Sequence, residues 1–138
     1  MYKRQEIVLE KNIFVERILF NDSEKGLSDE AKKEYIRPFK NAGEDRRPTL
    51  TWPRQIPIDG SPEAVIDEVT KNGEFHKNSD IPKLFINADP GTILIGKQRE
   101  FVRSWSNLKE VTVKGNHFVQ EDSPHEIGEA IKVFIETI

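Results

Sequence analysis

The chain has 138 residues and a mass of 16.0 kDa, the size of one ordinary domain. Twenty-one Lys and Arg against twenty-four Asp and Glu leave a net charge of −3, which argues against a nucleic-acid partner, because phosphate contacts need a basic face. The absence of Cys excludes a disulfide framework and a thiolate metal site; with no apolar run near a membrane span and no secretory signal in MYKRQEIVLEKN, a cytoplasmic protein with no membrane partner is expected.

Hydrophobic residues make up 36% of the chain and charged residues 33%, against about 45–50% (Gly included) and about 25% in typical domains. The apolar residues are clustered and periodic, so a modest core is expected rather than disorder.

Residues 6–20, EIVLEKNIFVERILF, set Val8, Leu9, Ile13, Phe14, Ile18 and Leu19 on one helical stripe. A second helix is predicted from the N-cap Ser28 to Phe39, with Pro38 near its end. Residues 41–62 carry Pro48, Pro53, Pro57 and Pro62 among Leu50, Trp52, Ile56 and Ile58. Proline removes amide donors, so neither a long helix nor a central strand fits, and the segment either lines a cavity or packs as a loop over the core. Ser61-Pro62 opens a helix that carries Val65, Ile66 and Val69 and is predicted to fade near Gly73.

Lys83–Asn87 reads as a short buried strand and Asp89-Pro90-Gly91 as a turn. Ile95–Trp105 is predicted as a helix with Phe101, Val102 and Trp105 inward, and Glu110–Lys114 as a second strand. Gly115–Asp122 forms a loop, and Ser123-Pro124-His125-Glu126 matches a capping box before a last helix bearing Ile127, Ile131, Phe134 and Ile135. Strand, helix, strand, helix makes a βαβ unit whose two strands run parallel. A two-stranded parallel sheet is marginal alone, so this half reads as the edge of a larger α/β sheet.

In open α/β sheets the ligand site lies beyond the carboxyl ends of the strands, which points to Asn87–Gly91 and Gly115–Asp122. His117 is the first candidate for a general base, and Asp89 for a carboxylate that orients it. His76, placed beyond a helix end, and His125, in a first helical turn, read as solvated. No G-x-S-x-G elbow, G-x-G-x-x-G, P-loop, H-E-x-x-H or EF-hand loop occurs. The residues offer a base with no nucleophile.

Three segments carry a resemblance. Arg46–Ile58 (RRPTLTWPRQIPI) resembles the stretch that ends the cap of the haloalkane dehalogenases, Ile81–Gly91 (IPKLFINADPG) their penultimate core strand and following loop, and Gly115–Pro124 (GNHFVQEDSP) the loop bearing their catalytic histidine. Glu6–Leu19 and Leu27–Phe39 are similar to cap helices. The resemblance implies the C-terminal part of an α/β-hydrolase fold, with a helical cap segment at 1–58 followed by core at 59–138. Family members are roughly twice as long, and their first half supplies the aspartate nucleophile. The implied activity is hydrolysis of a small halogenated hydrocarbon to alcohol and halide through an alkyl-enzyme ester, without a cofactor.

On the matching positions, the resemblance makes His117 the base that activates water, with Asp89 or an earlier acid orienting it. It sets Phe118 in the pocket wall, Trp52 and Pro53 in the cavity near the halide, and Phe14, Ile18, Ile56, Thr92 and Ile93 along the cavity and access tunnel. Asp22 falls at the tunnel mouth, where an apolar residue is common. Implied partners are the missing N-terminal half or, through the open sheet edge, a second copy. Two other readings share this fold: a shortened non-catalytic paralogue that acts as a binding module, and a relative of the coelenterazine luciferases.

Overall fold

A computed structural model describes residues 5–138, which form two compact units: residues 5–21 with 26–70, and Asp22–Lys25 with Lys71–Ile138. In the first unit the single helix expected over residues 6–20 divides in two. Wide π-type turns cover Glu6–Glu10 and Phe14–Leu19, and Asn12 between them takes a positive φ of 50°. The cause is Arg46, a buried guanidinium that donates to the carbonyl oxygens of Leu9 (3.1 Å), Glu10 (2.6 Å), Phe39 (2.8 Å) and Lys40 (3.3 Å). It satisfies carbonyls that a continuous helix would have bonded internally, so the helix stops there. Val15, Leu19, Leu27 and Leu50 form this unit's core.

Helix α1 (Asp29–Ile36) is capped as expected, Ser28 Oγ accepting from the Ala31 amide at 3.1 Å. Pro38 lies in a single 3₁₀ turn that follows it. The proline-rich segment folds into short turns around helix α2 (Arg47–Thr51), then reverses at Asp59-Gly60, both with positive φ.

Helix α3 (Glu63–Asn78) begins just after Ser61-Pro62 but does not fade at Gly73. A Cβ at that position would lie 2.8 Å from Phe101 Cζ, so the glycine serves close packing and the helix continues past it. His76 is correspondingly not a solvated residue beyond a helix end; it sits within α3 and stacks on Trp105 at 4.7 Å.

The second unit holds strands β1 (Lys83–Pro90) and β2 (Leu108–Gly115) with helix α4 (Gly96–Arg103) between them. The strands pair in parallel from Lys83 opposite Leu108 to Pro90 opposite Gly115, which makes the class α/β. Both exceed the predicted lengths, and the turn expected at Asp89-Pro90 starts instead at Gly91, where φ is +69°. The buried Lys83 ammonium closes the base of the sheet, donating to the carbonyls of Ser79, Ile81 and Ser106 at 2.6–2.8 Å.

Val102 is buried as expected, while Phe101 remains 45% exposed. A short helix, α5 (Val119–Asp122), forms where a loop was predicted. Helix α6 (Pro124–Ile135) follows, without the capping box, because Ser123 Oγ donates backwards to the Lys114 carbonyl at 2.6 Å. Ile131 and Ile135 on α6 are exposed. Among the described residues β1 pairs with β2 alone, and no helix is long and apolar enough to cross a membrane.

Candidate functional site

Strand β2 ends at Gly115 with φ +150°, where a Cβ would lie 2.9 Å from the Asp122 side chain. Glycine lets the chain turn here, and Asn116, His117 and Phe118 form the short loop before α5. His117 is exposed, with its ring edge-on to Phe118 at 4.9 Å. Beside this loop lies a hollow of about 210 Å³ lined by Ile86, Ala88, Gly91, Thr92, Ile93, Leu94, Asn116, His117 and Val119. Its far wall is the β1–α4 loop, which Arg99 pins by donating to the carbonyls of Ala88 (2.9 Å), Pro90 (3.2 Å) and Leu94 (3.2 Å).

The His117 loop is framed by two carboxylates. Asp122 is buried, and it accepts from Ser23 Oγ at 2.7 Å and from the amides of Lys25 and Asn116, each at 3.2 Å. Burial alone would push its carboxyl up, but these bonds favour the charged form and hold it below the usual aspartate range. Asp22 Oδ2 accepts from the amides of His117 (2.8 Å) and Phe118 (3.2 Å).

The structure gathers His117, Thr92 and Ile93 around one hollow. Phe118 borders the His117 ring without lining that hollow. Asp89 is exposed, and strand alternation sets it on the opposite face from Ile86 and Ala88, which line the hollow. Among the described residues it makes no hydrogen bond to His117. In the first unit Phe14, Ile18 and Pro53 line a separate cavity of about 350 Å³ together with Ile7, Val8, Thr49, Leu50 and Arg54. Trp52 and Ile56 lie outside that lining, at 63% and 45% exposure.

Sequence reasoning missed Arg99 and Asp122. Asp122 stood inside the GNHFVQEDSP motif, but two of its donors, Ser23 and Lys25, come from nearly 100 residues away in sequence. Arg99 sits on a helix face where a charged residue gives no signal. Chemically, an exposed imidazole beside an apolar hollow can take a proton from a water held there. No carboxylate lines the hollow, and among the described residues no His, Asp and Glu group could hold a metal ion.

No family model matches the chain. It is 54% identical over 136 residues to a haloalkane dehalogenase of Mycolicibacterium smegmatis, covering 97% of this chain and 43% of that protein. A coelenterazine h 2-monooxygenase of Renilla reniformis is 41% identical over 97% of this chain and 43% of its own length. The crystal structure of the haloalkane dehalogenase DbeA from Bradyrhizobium elkani superposes with a TM-score of 0.89 at 32% identity, over 96% of this chain and 46% of its own. The chain thus spans less than half the length of the relatives it matches.

Proposed function

We propose that this chain, which belongs with the haloalkane dehalogenases of the α/β-hydrolase fold and corresponds to their C-terminal portion, supplies the histidine base and part of the cavity for hydrolytic dehalogenation. The observation that carries the reading is His117 at the end of β2, opening onto an apolar hollow walled by Thr92 and Ile93. Halocarbons offer few polar handles and bind mainly by burial, which suits that lining.

In the proposed reaction an aspartate from outside this chain attacks the carbon bearing the halogen. The carbon–halogen bond breaks, halide leaves with its electron pair, and an alkyl ester forms. His117 then takes a proton from water, whose hydroxide cleaves the ester to alcohol and restores the carboxylate. Alcohol, halide and a proton are the products, with no cofactor consumed. Phe118, Asp22 and the first-unit residues Phe14, Ile18, Trp52, Pro53 and Ile56 serve as cavity or tunnel wall in this reading, and Asp89 is an outer-loop carboxylate.

The test is halide release from 1-bromobutane by the chain alone and by the chain co-expressed with the N-terminal portion of the Mycolicibacterium smegmatis relative. The chain alone should release none. The pair should turn over, and His117→Ala should stop it after one equivalent of halide, with the ester trapped. Turnover by the pair that survives His117→Ala would sink the reading.

The open edge of β1 supports a related partner proposal: a strand of that other portion, or of a second copy, pairs there. Sedimentation across a concentration series distinguishes self-association from a monomer. The similarity to the Renilla enzyme supports a second activity, oxidation of coelenterazine, for which light emission by the same pair is the readout.

A further inference from the structure

The four residues Asp22–Lys25 pack with the second unit, although the chain on either side of them belongs to the first. They do so through polar contacts to the end of β2, to the loop that carries His117 and to α5 behind it. Ser23 Oγ and the Lys25 amide donate to Asp122 Oδ1, and the Lys25 ammonium donates to the Asp122 carbonyl. Glu24 pairs with Lys114 at 3.1 Å, one residue before the end of β2. Asp22 reaches the loop itself, one carboxylate oxygen taking both the His117 and the Phe118 amides across 95 residues of sequence. The other oxygen of Asp122 takes the Asn116 amide, so three successive backbone donors, at 116, 117 and 118, end on two carboxylates.

We propose that Asp22 is a positioning residue for His117, fixing through its carboxylate the backbone from which the imidazole projects. The proposal takes its functional meaning from the reading of His117 as the base. Its structural content is independent of that reading. A loop of three residues with its amides facing water would sample many backbone states, and the imidazole would move with them. Two charge-assisted bonds to one anchored oxygen select one of those states, and such bonds are stronger than neutral ones. A carboxylate here does what an apolar side chain at the same position does not. It turns a wall position into a brace.

The experiment is amide proton NMR on the full chain, which needs no turnover and so fails independently of the dehalogenase reading. Amide shifts of residues 116–118 are followed from pH 7 to pH 3 in the wild type, Asp22→Asn, Asp22→Ala and Asp22→Glu. The other charged groups of the clamp are Glu24, Lys25, Lys114 and Asp122. In the wild type, the His117 and Phe118 amides are expected to move together with one carboxylate titration that Asp22→Asn abolishes. The Asn116 amide should follow Asp122 instead.

Asp22→Ala should speed exchange of the His117 and Phe118 amides by roughly tenfold or more while the β1 and β2 ladder amides hold their rates, and Asp22→Glu should restore part of the protection. His117 side-chain couplings in Asp22→Ala should collapse to rotamer averages. The proposal is overturned if the two amides ignore the Asp22 titration, or if their exchange rises only in step with the β ladders. Should Asp22→Ala fail to fold, Asp22→Asn, which keeps the side chain's shape and an acceptor oxygen, decides between these outcomes by the titration alone.

Discussion

Replacing Asp122 by Ala removes the acceptor on which Ser23, Lys25 and Asn116 converge. The side chain is almost fully buried, so the Ser23 hydroxyl and two amides would lose their partner with little access to water. Hydrogen bonds to a charged group are worth about 1.5–3 kcal/mol each, and three sharing one carboxylate add less than singly, so a loss of roughly 3–4 kcal/mol is expected. For a urea slope of about 2 kcal/mol/M, the midpoint falls by roughly 1.5–2 M. Asp122→Asn keeps an acceptor for Ser23 and Lys25 but turns an NH2 towards the Asn116 amide, and should cost about half as much. Urea unfolding followed by circular dichroism measures both. Two variants within about 0.5 kcal/mol of wild type would refute the assignment of Asp122 as the keystone of the His117 loop.

The same group sets an acid limb. Its folded carboxyl lies below the usual aspartate range, whereas an unfolded aspartate titrates near pH 3.9. A depressed folded value stabilises the fold above the unfolded one and loses that stabilisation as pH falls through the folded one. Stability should therefore drop from about pH 4 downward, and the drop should be shallower in Asp122→Ala.

Three further outcomes are expected. Arg46→Met leaves four carbonyl oxygens without their buried donor and should destabilise the first unit by about 3 kcal/mol, read as faster amide exchange across residues 8–16. Gly73→Ala should stay within about 0.5 kcal/mol of wild type in urea unfolding. The added Cβ meets the Phe101 ring at 2.8 Å, but that ring is half-exposed and can swing away, and the gain of about 1 kcal/mol in helix propensity offsets the shift. Arg99→Ala frees the carbonyls of Ala88, Pro90 and Leu94 and should raise proteolytic cleavage between residues 91 and 95 several-fold, with less than about 1.5 kcal/mol lost from global stability.

The βαβ unit was legible because its signals are local. Apolar runs at 83–87 and 110–114 and a periodic stretch between them need no distant partner to declare themselves, and Ser28 caps α1 with a donor three residues away. Most of the errors in the elements share one physical origin: a group was claimed by a partner outside its own local segment. Arg46 takes the Leu9 and Glu10 carbonyls from 36 or more residues away and breaks a stripe whose periodicity was sound. Phe101 packs on Gly73, which punctuation rules read as a stop. Lys114 claims the Ser123 hydroxyl, and a sequence that matches the capping box opens its helix without one.

The candidate site divides along the same line. His117 was legible because the carboxyl ends of parallel strands converge and bring their two loops to one hollow, whereas Thr92 and Ile93, just past the first of those loops, were named only by the resemblance. Asp89 belongs to the same strand end, yet the two-residue period of the backbone turns it to the other face. What orients His117 lies 95 residues away, in a segment where Asn21-Asp22-Ser23 reads only as a helix break. Chemistry that depends on a backbone donor leaves no mark on the side-chain pattern, because every residue but proline carries the same amide. A candidate base can be named from the sequence, therefore, while the carboxylate that accepts its backbone amide appears only when the loop is folded.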